Sequence, residues 1–150
     1  MAAFKTFKGQ VYGGISGEGH ATALCTAYTN VALSTAQNVT GNTIAFMTLP
    51  ANAVVVGMRV RVTDMDSGAA GLIDIGDAGS ANRYLAAFSI QVAGETTAMT
   101  VAGFLNKVTV DTPLLITVNT QSGTAVAGTI SIMLQYVIDE GFSTTALVAS

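Results

Sequence analysis

The chain has 150 residues, 50% of them hydrophobic and only 10% Asp, Glu, Lys or Arg, with a formal net charge of −3. Six cations scattered over Lys5, Lys8, Arg59, Arg61, Arg83 and Lys107 form no basic stripe, which excludes an ordinary nucleic-acid binder. A soluble domain usually carries about 25% charged residues, so much of this exterior is expected to be covered by copies of the chain or by a larger surface.

Residues 1–42 are rich in Gly, Ala, Thr, Ser and Asn and show weak periodicity. The run Gly13-Gly14-Ile15-Ser16-Gly17-Glu18-Gly19 cannot nucleate a helix cheaply, because each glycine costs about 1 kcal/mol. The segment reads as an extended N-terminal arm. Lys5 and Lys8 are not followed by an apolar core, so no secretory signal is expected. Apolar runs of about 5–7 residues fall far short of the ~20 needed to cross a bilayer, so no membrane partner is expected. The single Cys25 excludes an intrachain disulfide and fits folding in a reducing cytoplasm.

From residue 43 the pattern is β. Thr43 to Leu49 is a strand stopped by Pro50. Over residues 54–64, Val56, Met58, Val60 and Val62 alternate with Gly57, Arg59, Arg61 and Thr63, the period of two of a half-buried strand. Asp66-Ser67-Gly68 is a turn. Short strands are expected at residues 72–76, 97–102 and 107–110, and residues 84–92 read as a strand with an irregular start or, at Leu85-Ala86-Ala87, a single helical turn. Pro113 opens a strand with Leu114, Ile116 and Val118 on one face. In the last, Ile130, Ile132, Leu134 and Tyr136 alternate with Thr129, Ser131, Met133 and Gln135. About eight short strands at 8–15-residue spacing predict an all-β fold. The expected core is a β-sandwich or jelly roll over residues 43–140, followed by a C-terminal tail at 141–150. Thr, Ser and Gln stand where charges normally guard exposed strand edges, so those edges are expected to be closed by other chains.

No catalytic, cofactor or metal residues are expected, nor a small-molecule substrate. His20 sits in the glycine-rich arm without the packed neighbours and orienting carboxylate that a catalytic base needs. Cys25 has no Lys or Arg nearby to activate its thiol. Asp64, Asp66, Asp74 and Asp77 lack the loop glycine and closing glutamate of an EF-hand, and read as acceptors for turn N–H groups. Asp139-Glu140 ends the last strand at a rim. Arg59 and Arg61 project from one strand face, as a docking patch for acidic groups of a partner or as an ordinary solvated face.

The run from Leu49-Pro50-Ala51 through Val62, then Leu72-Ile73-Asp74-Ile75-Gly76-Asp77-Ala78-Gly79, Pro113-Leu114-Leu115-Ile116-Thr117-Val118 and Gly128-Thr129-Ile130-Ser131-Ile132-Met133-Leu134-Gln135-Tyr136 resembles small structural proteins of tailed bacteriophages, including capsid decoration (cement) proteins. The resemblance spans residues 43–138. It implies a sandwich or jelly-roll core, a homotrimer seated at threefold positions of the shell, arms that reach between neighbours and the major capsid protein as partner. The location it implies is the capsid exterior, after synthesis in the host cytoplasm. A head-fibre base or tail component is the alternative. A carbohydrate-binding β-sandwich is a weaker rival, since the chain has no Trp and its tyrosines are dispersed.

Overall fold

The computed structural model describes residues 24–68 and 71–139. The glycine-rich run at residues 13–19, His20, Glu140 and the tail at 141–150 lie outside them. The elements are β1 (Leu24–Leu33), a 3-10 turn (Thr35–Gln37), β2 (Thr43–Leu49), β3 (Ala53–Val62), β4 (Leu72–Asp77), β5 (Ser80–Ser89), β6 (Gly94–Thr96), β7 (Thr112–Thr120) and β8 (Gly128–Ile138). No α-helix occurs among the described residues.

Two four-stranded sheets face each other, sheet A in the order β1-β8-β3-β6 and sheet B in the order β2-β7-β4-β5. All pairings are antiparallel. β1 pairs with β8, β2 with β7, β3 with β6 and β4 with β5, as in one long hairpin rolled over on itself. Alternate residues turn inward because the strand period is two. Val60, Val62, Ile130, Ile132 and Leu134 from sheet A meet Ile73, Ile75, Leu114, Ile116 and Val118 from sheet B, and all are buried.

Three local features depart from the sequence reading. Residues 24–33, expected in the arm, form β1 and pair with β8 without a register shift. Its outward positions mix Leu24 and Tyr28 with Thr26 and Asn30, and its inward ones begin with the small Cys25, Ala27 and Thr29 before Val31 and Leu33, so the polar-out alternation is weak. Second, a bulge between Val55 and Gly57 moves the inward phase of β3, so Val55 is buried where Val56 was expected. Third, the strands expected at 97–102 and 107–110 do not form. Those residues belong to a loop with a turn at 101–105 and an isolated bridge between Val54 and Lys107. Leu105 adopts φ 60°, which ends any extended run.

The acidic residues hold turns. The buried Asp66 carboxylate accepts N–H bonds from Gly68 at 2.8 Å, Gly71 at 3.0 Å, Thr124 at 3.0 Å and Gly123 at 3.3 Å, tying the turn after β3 to the turn before β8. Asp74 accepts from the Ala87 N–H and the Asn119 amide. Asp77 accepts from Gly79, Ser80 and Arg83. These oxygens are spent on donors, and no cluster of metal-ligating side chains occurs among the described residues.

Burial alone would raise the Asp66 pKa, but the four N–H donors outweigh it and hold the carboxyl below its usual value. Burial likewise pushes Asp77 up, and the Arg83 hydrogen bond and charge, with two N–H donors, bring it below normal. A depressed folded pKa contributes stability above the unfolded value, about 3.9 for Asp, and that contribution is lost as pH falls through the folded value. We therefore expect the melting temperature to fall as the pH drops below about 4. Asp66→Asn turns an amide donor toward backbone N–H groups. It should lower the midpoint at pH 7 and flatten the acid decline, as read by circular dichroism melts. An unchanged midpoint at pH 7 would contradict this role.

Candidate interaction face

The outer face of sheet A brings together side chains from four strands. One row across the sheet runs Tyr28, Met133, Arg59; the next runs Asn30, Ser131, Arg61, Glu95. The bulge in β3 sits two residues before Arg59, after which the strand alternates regularly and turns both guanidinium-bearing residues outward. Tyr28 is 65% exposed. Its hydroxyl and that of Ser131 each donate to Asn30 Oδ1 at 2.7 Å.

Arg59 Nη2 donates to Glu95 Oε2 at 2.8 Å. That bond, and secondarily the carboxylate charge, raises the Arg59 pKa. The same bond lowers the Glu95 pKa, with the charges of Arg59 and Arg61 adding to it. Among the described residues, Arg59, Arg83 and Lys107 each hydrogen-bond a carboxylate, of Glu95, Asp77 and Asp139 respectively. Arg61 makes no such bond to a described residue. Arg59 and Arg61 share a face, as expected, and of the two Arg59 is the one held by a carboxylate among the described residues.

Between these rows lies a groove of about 210 Å³ lined by Tyr28, Arg59, Arg61, Glu95, Ser131 and Met133. Small-molecule sites usually measure about 300–1,000 Å³; this groove is smaller. A more open depression of about 440 Å³ between β3 and the 97–111 loop is lined by Val56, Gly57, Thr97, Met99, Thr100, Val101 and Phe104. Among the described residues its lining holds no titratable side chain.

Sequence reasoning missed two contributors to the groove. Tyr28 lay in the segment read as an arm, and Glu95 sits on the three-residue β6, too short for a periodic signal. Cys25 is half-buried on β1, opposite Tyr136. Asp64 accepts the Asp66 N–H. Asp139 pairs with Lys107 at 3.0 Å. The structure does not bring these residues into one site.

No protein-family model and no curated protein matches the chain. Solved structures do. A chain of the cyanophage Pam1 capsid asymmetric unit is 25% identical, with a TM-score of 0.68 over 83% of this chain and 91% of that one. A chain of the capsid of Ralstonia phage GP4 is 26% identical, with a TM-score of 0.69 over 82% and 88%. The chain is thus similar, in fold and in sequence, to chains of phage capsids. A chain of the acid-stable capsid of the Helicobacter pylori bacteriophage KHP30 shares the fold at 13% identity and a TM-score of 0.53, over 76% of this chain and 92% of that one.

Proposed function

We propose that this protein is a non-enzymatic decoration (cement) protein that binds the exterior of a phage head shell as a homotrimer, with the major capsid protein as partner. The observation that carries the reading is the likeness to two capsid chains over more than four-fifths of both partners in each comparison. The strand order, with the paired hairpin rolled into two sheets, supports a jelly-roll reading, a fold used in capsid domains. The exposed surface supports the reading too. Val101 is 96% exposed, and Val92, Phe104, Leu105 and Val110 are each more than half exposed, although the chain has few charges to keep such a surface solvated. Arg61 supplies a guanidinium for a carboxylate on the shell, where two parallel hydrogen bonds give a contact with fixed geometry.

Two measurements test this. Light scattering of the purified chain should give three times the 15.2 kDa monomer mass; a monomer at micromolar concentration removes the trimer. Co-sedimentation with heads stripped of accessory proteins should place the chain on the shell, and Arg61→Ala should weaken that binding. Binding to tails or fibre bases instead would make it a different virion part.

A further inference from the structure

We infer that the outer face of sheet A carries a trough that takes an extended segment of a different protein, with an Asp or Glu side chain seated at Arg59 and Arg61 and, two residues further along, an apolar side chain seated against the 97–111 loop. This deepens the attachment reading above and rests on it only for which protein supplies the segment.

The trough follows from how β3 and β6 run past each other. Glu95 stands directly across from Arg61. On β3 the outward position before Arg61 is Arg59, and the one before that is Gly57, which brings no side chain. Past the end of β6 come Thr97, Met99 and Val101. The groove of about 210 Å³ at Arg59, Arg61 and Glu95 is therefore followed, along the same two chain segments, by the depression of about 440 Å³ that Gly57, Thr97, Met99, Val101 and Phe104 line. Arg59 and Gly57 are two residues apart, about 7 Å on a strand, which is also the repeat of side chains on one side of an extended peptide.

Charge selects the occupant of the first half. Two arginines and one carboxylate line the groove, a local excess of one positive charge on a chain of net charge −3. Glu95 lies opposite Arg61 but reaches to Arg59, with one bond in which Oε2 accepts from Nη2 at 2.8 Å. A carboxylate matched to a guanidinium makes two parallel bonds. Glu95 thus stands where a carboxylate belongs without filling the place. The Arg59 and Glu95 side chains are 54% and 42% exposed, and an exposed pair of this kind contributes little to stability. It yields to a carboxylate that spans Arg59 and Arg61.

The second half is apolar: Val101 is 96% exposed and Phe104 53%. A nucleic-acid phosphate finds no cation there among the described residues, whereas a peptide fills both halves with neighbouring side chains. A second copy of this chain is a poor source. Every described carboxylate is engaged within its own chain: Asp64, Asp66, Asp74, Asp77 and Asp111 accept backbone N–H groups, and Glu95 and Asp139 pair with Arg59 and Lys107.

The test uses the isotope-labelled full chain and capped heptapeptides of Gly and Ser that carry Glu and Leu two residues apart, or Gln in place of the Glu, or Ser in place of the Leu. At millimolar concentration the peptide with Glu and Leu should shift the backbone amide resonances of residues 57–61 and 95–101, and both replacements should weaken it. Arg61→Ala should weaken its binding about tenfold or more, through loss of a charged hydrogen-bond donor. Glu95→Gln should tighten it about threefold, because a competing charge is removed. Val101→Ser should remove the preference for Leu over Ser. Circular dichroism checks that each variant is folded. Absence of shifts at these amides overturns the proposal, as does a Gln peptide that binds as well as the Glu peptide. An oligothymidylate that binds more tightly at the same amides makes this a phosphate site and overturns it, and the same shifts on concentrating the chain alone place a second copy there and overturn it too. Co-sedimentation of the unsubstituted chain with stripped heads tests attachment by itself, so either reading can fail while the other stands.

Discussion

Ile132→Asp should leave no folded protein. Ile132 is fully buried in the middle of β8, between Thr29 of β1 and Val60 of β3. Removing its side chain alone costs about 2–5 kcal/mol in a core that cannot collapse into the gap. The carboxylate adds several kcal/mol more, because no cation is within the cluster of buried apolar residues around it. Against a total stability of about 5–15 kcal/mol for an ordinary domain, the two losses together exhaust the fold. Ser131→Asp is the control, since Ser131 points outward beside Arg61. It should fold and melt near the unsubstituted chain. If Ser131→Asp unfolds and Ile132→Asp does not, the inward face of β8 is assigned to the wrong parity.

Gly76→Ala is the second large effect. Gly76 lies near the end of β4, just before the two-residue turn of Ala78 and Gly79 that leads into β5. A Cβ there would land on the Ser80 carbonyl oxygen and the Ala81 backbone. Overpacking usually costs about 1–3 kcal/mol, when side chains can shift. Here the obstacle is backbone held across a tight turn, so we expect about 3 kcal/mol or more, by that scale. That corresponds to a fall in melting temperature of about 10 °C for a chain of this size. Gly94→Ala meets only ordinary contacts, with the Val92 carbonyl at 3.7 Å and the Phe88 ring at 3.9 Å, and should melt within about 2 °C of the parent. Equal melting of the two variants would contradict the packing at the β4–β5 turn.

The strands that carry the core were legible because their apolar residues alternate without interruption. Leu114, Ile116 and Val118, and Ile130, Ile132 and Leu134, are inward as expected. β1 was not legible because its first inward positions, Cys25, Ala27 and Thr29, are small or polar and its outward ones include Leu24 and Tyr28, so the alternation is weak. Residues 97–111 were misread for the opposite reason. Val101, Phe104 and Val110 look like strand material, but they are exposed on a loop. Arg59 and Arg61 were placed on one face from spacing alone. That Glu95 engages the first depends on β6, which pairs across 36 residues of sequence and has no local signature.

The rolled pairing of the strands also dictates an order of assembly. β4 and β5 are joined by two residues and can meet as soon as both exist. β1 and β8 meet last, through contacts such as Ser131 to Asn30, separated by 101 residues. Loop-closure entropy rises with that separation, and a fold dominated by such distant pairings forms slowly. The hairpin closes from its tip outward, and on a ribosome the first strand made waits for the final one. Throughout that interval β1 lacks the β8 strand that holds it in the finished sheet, so the chain's slowest contact is also the one whose partner is made last.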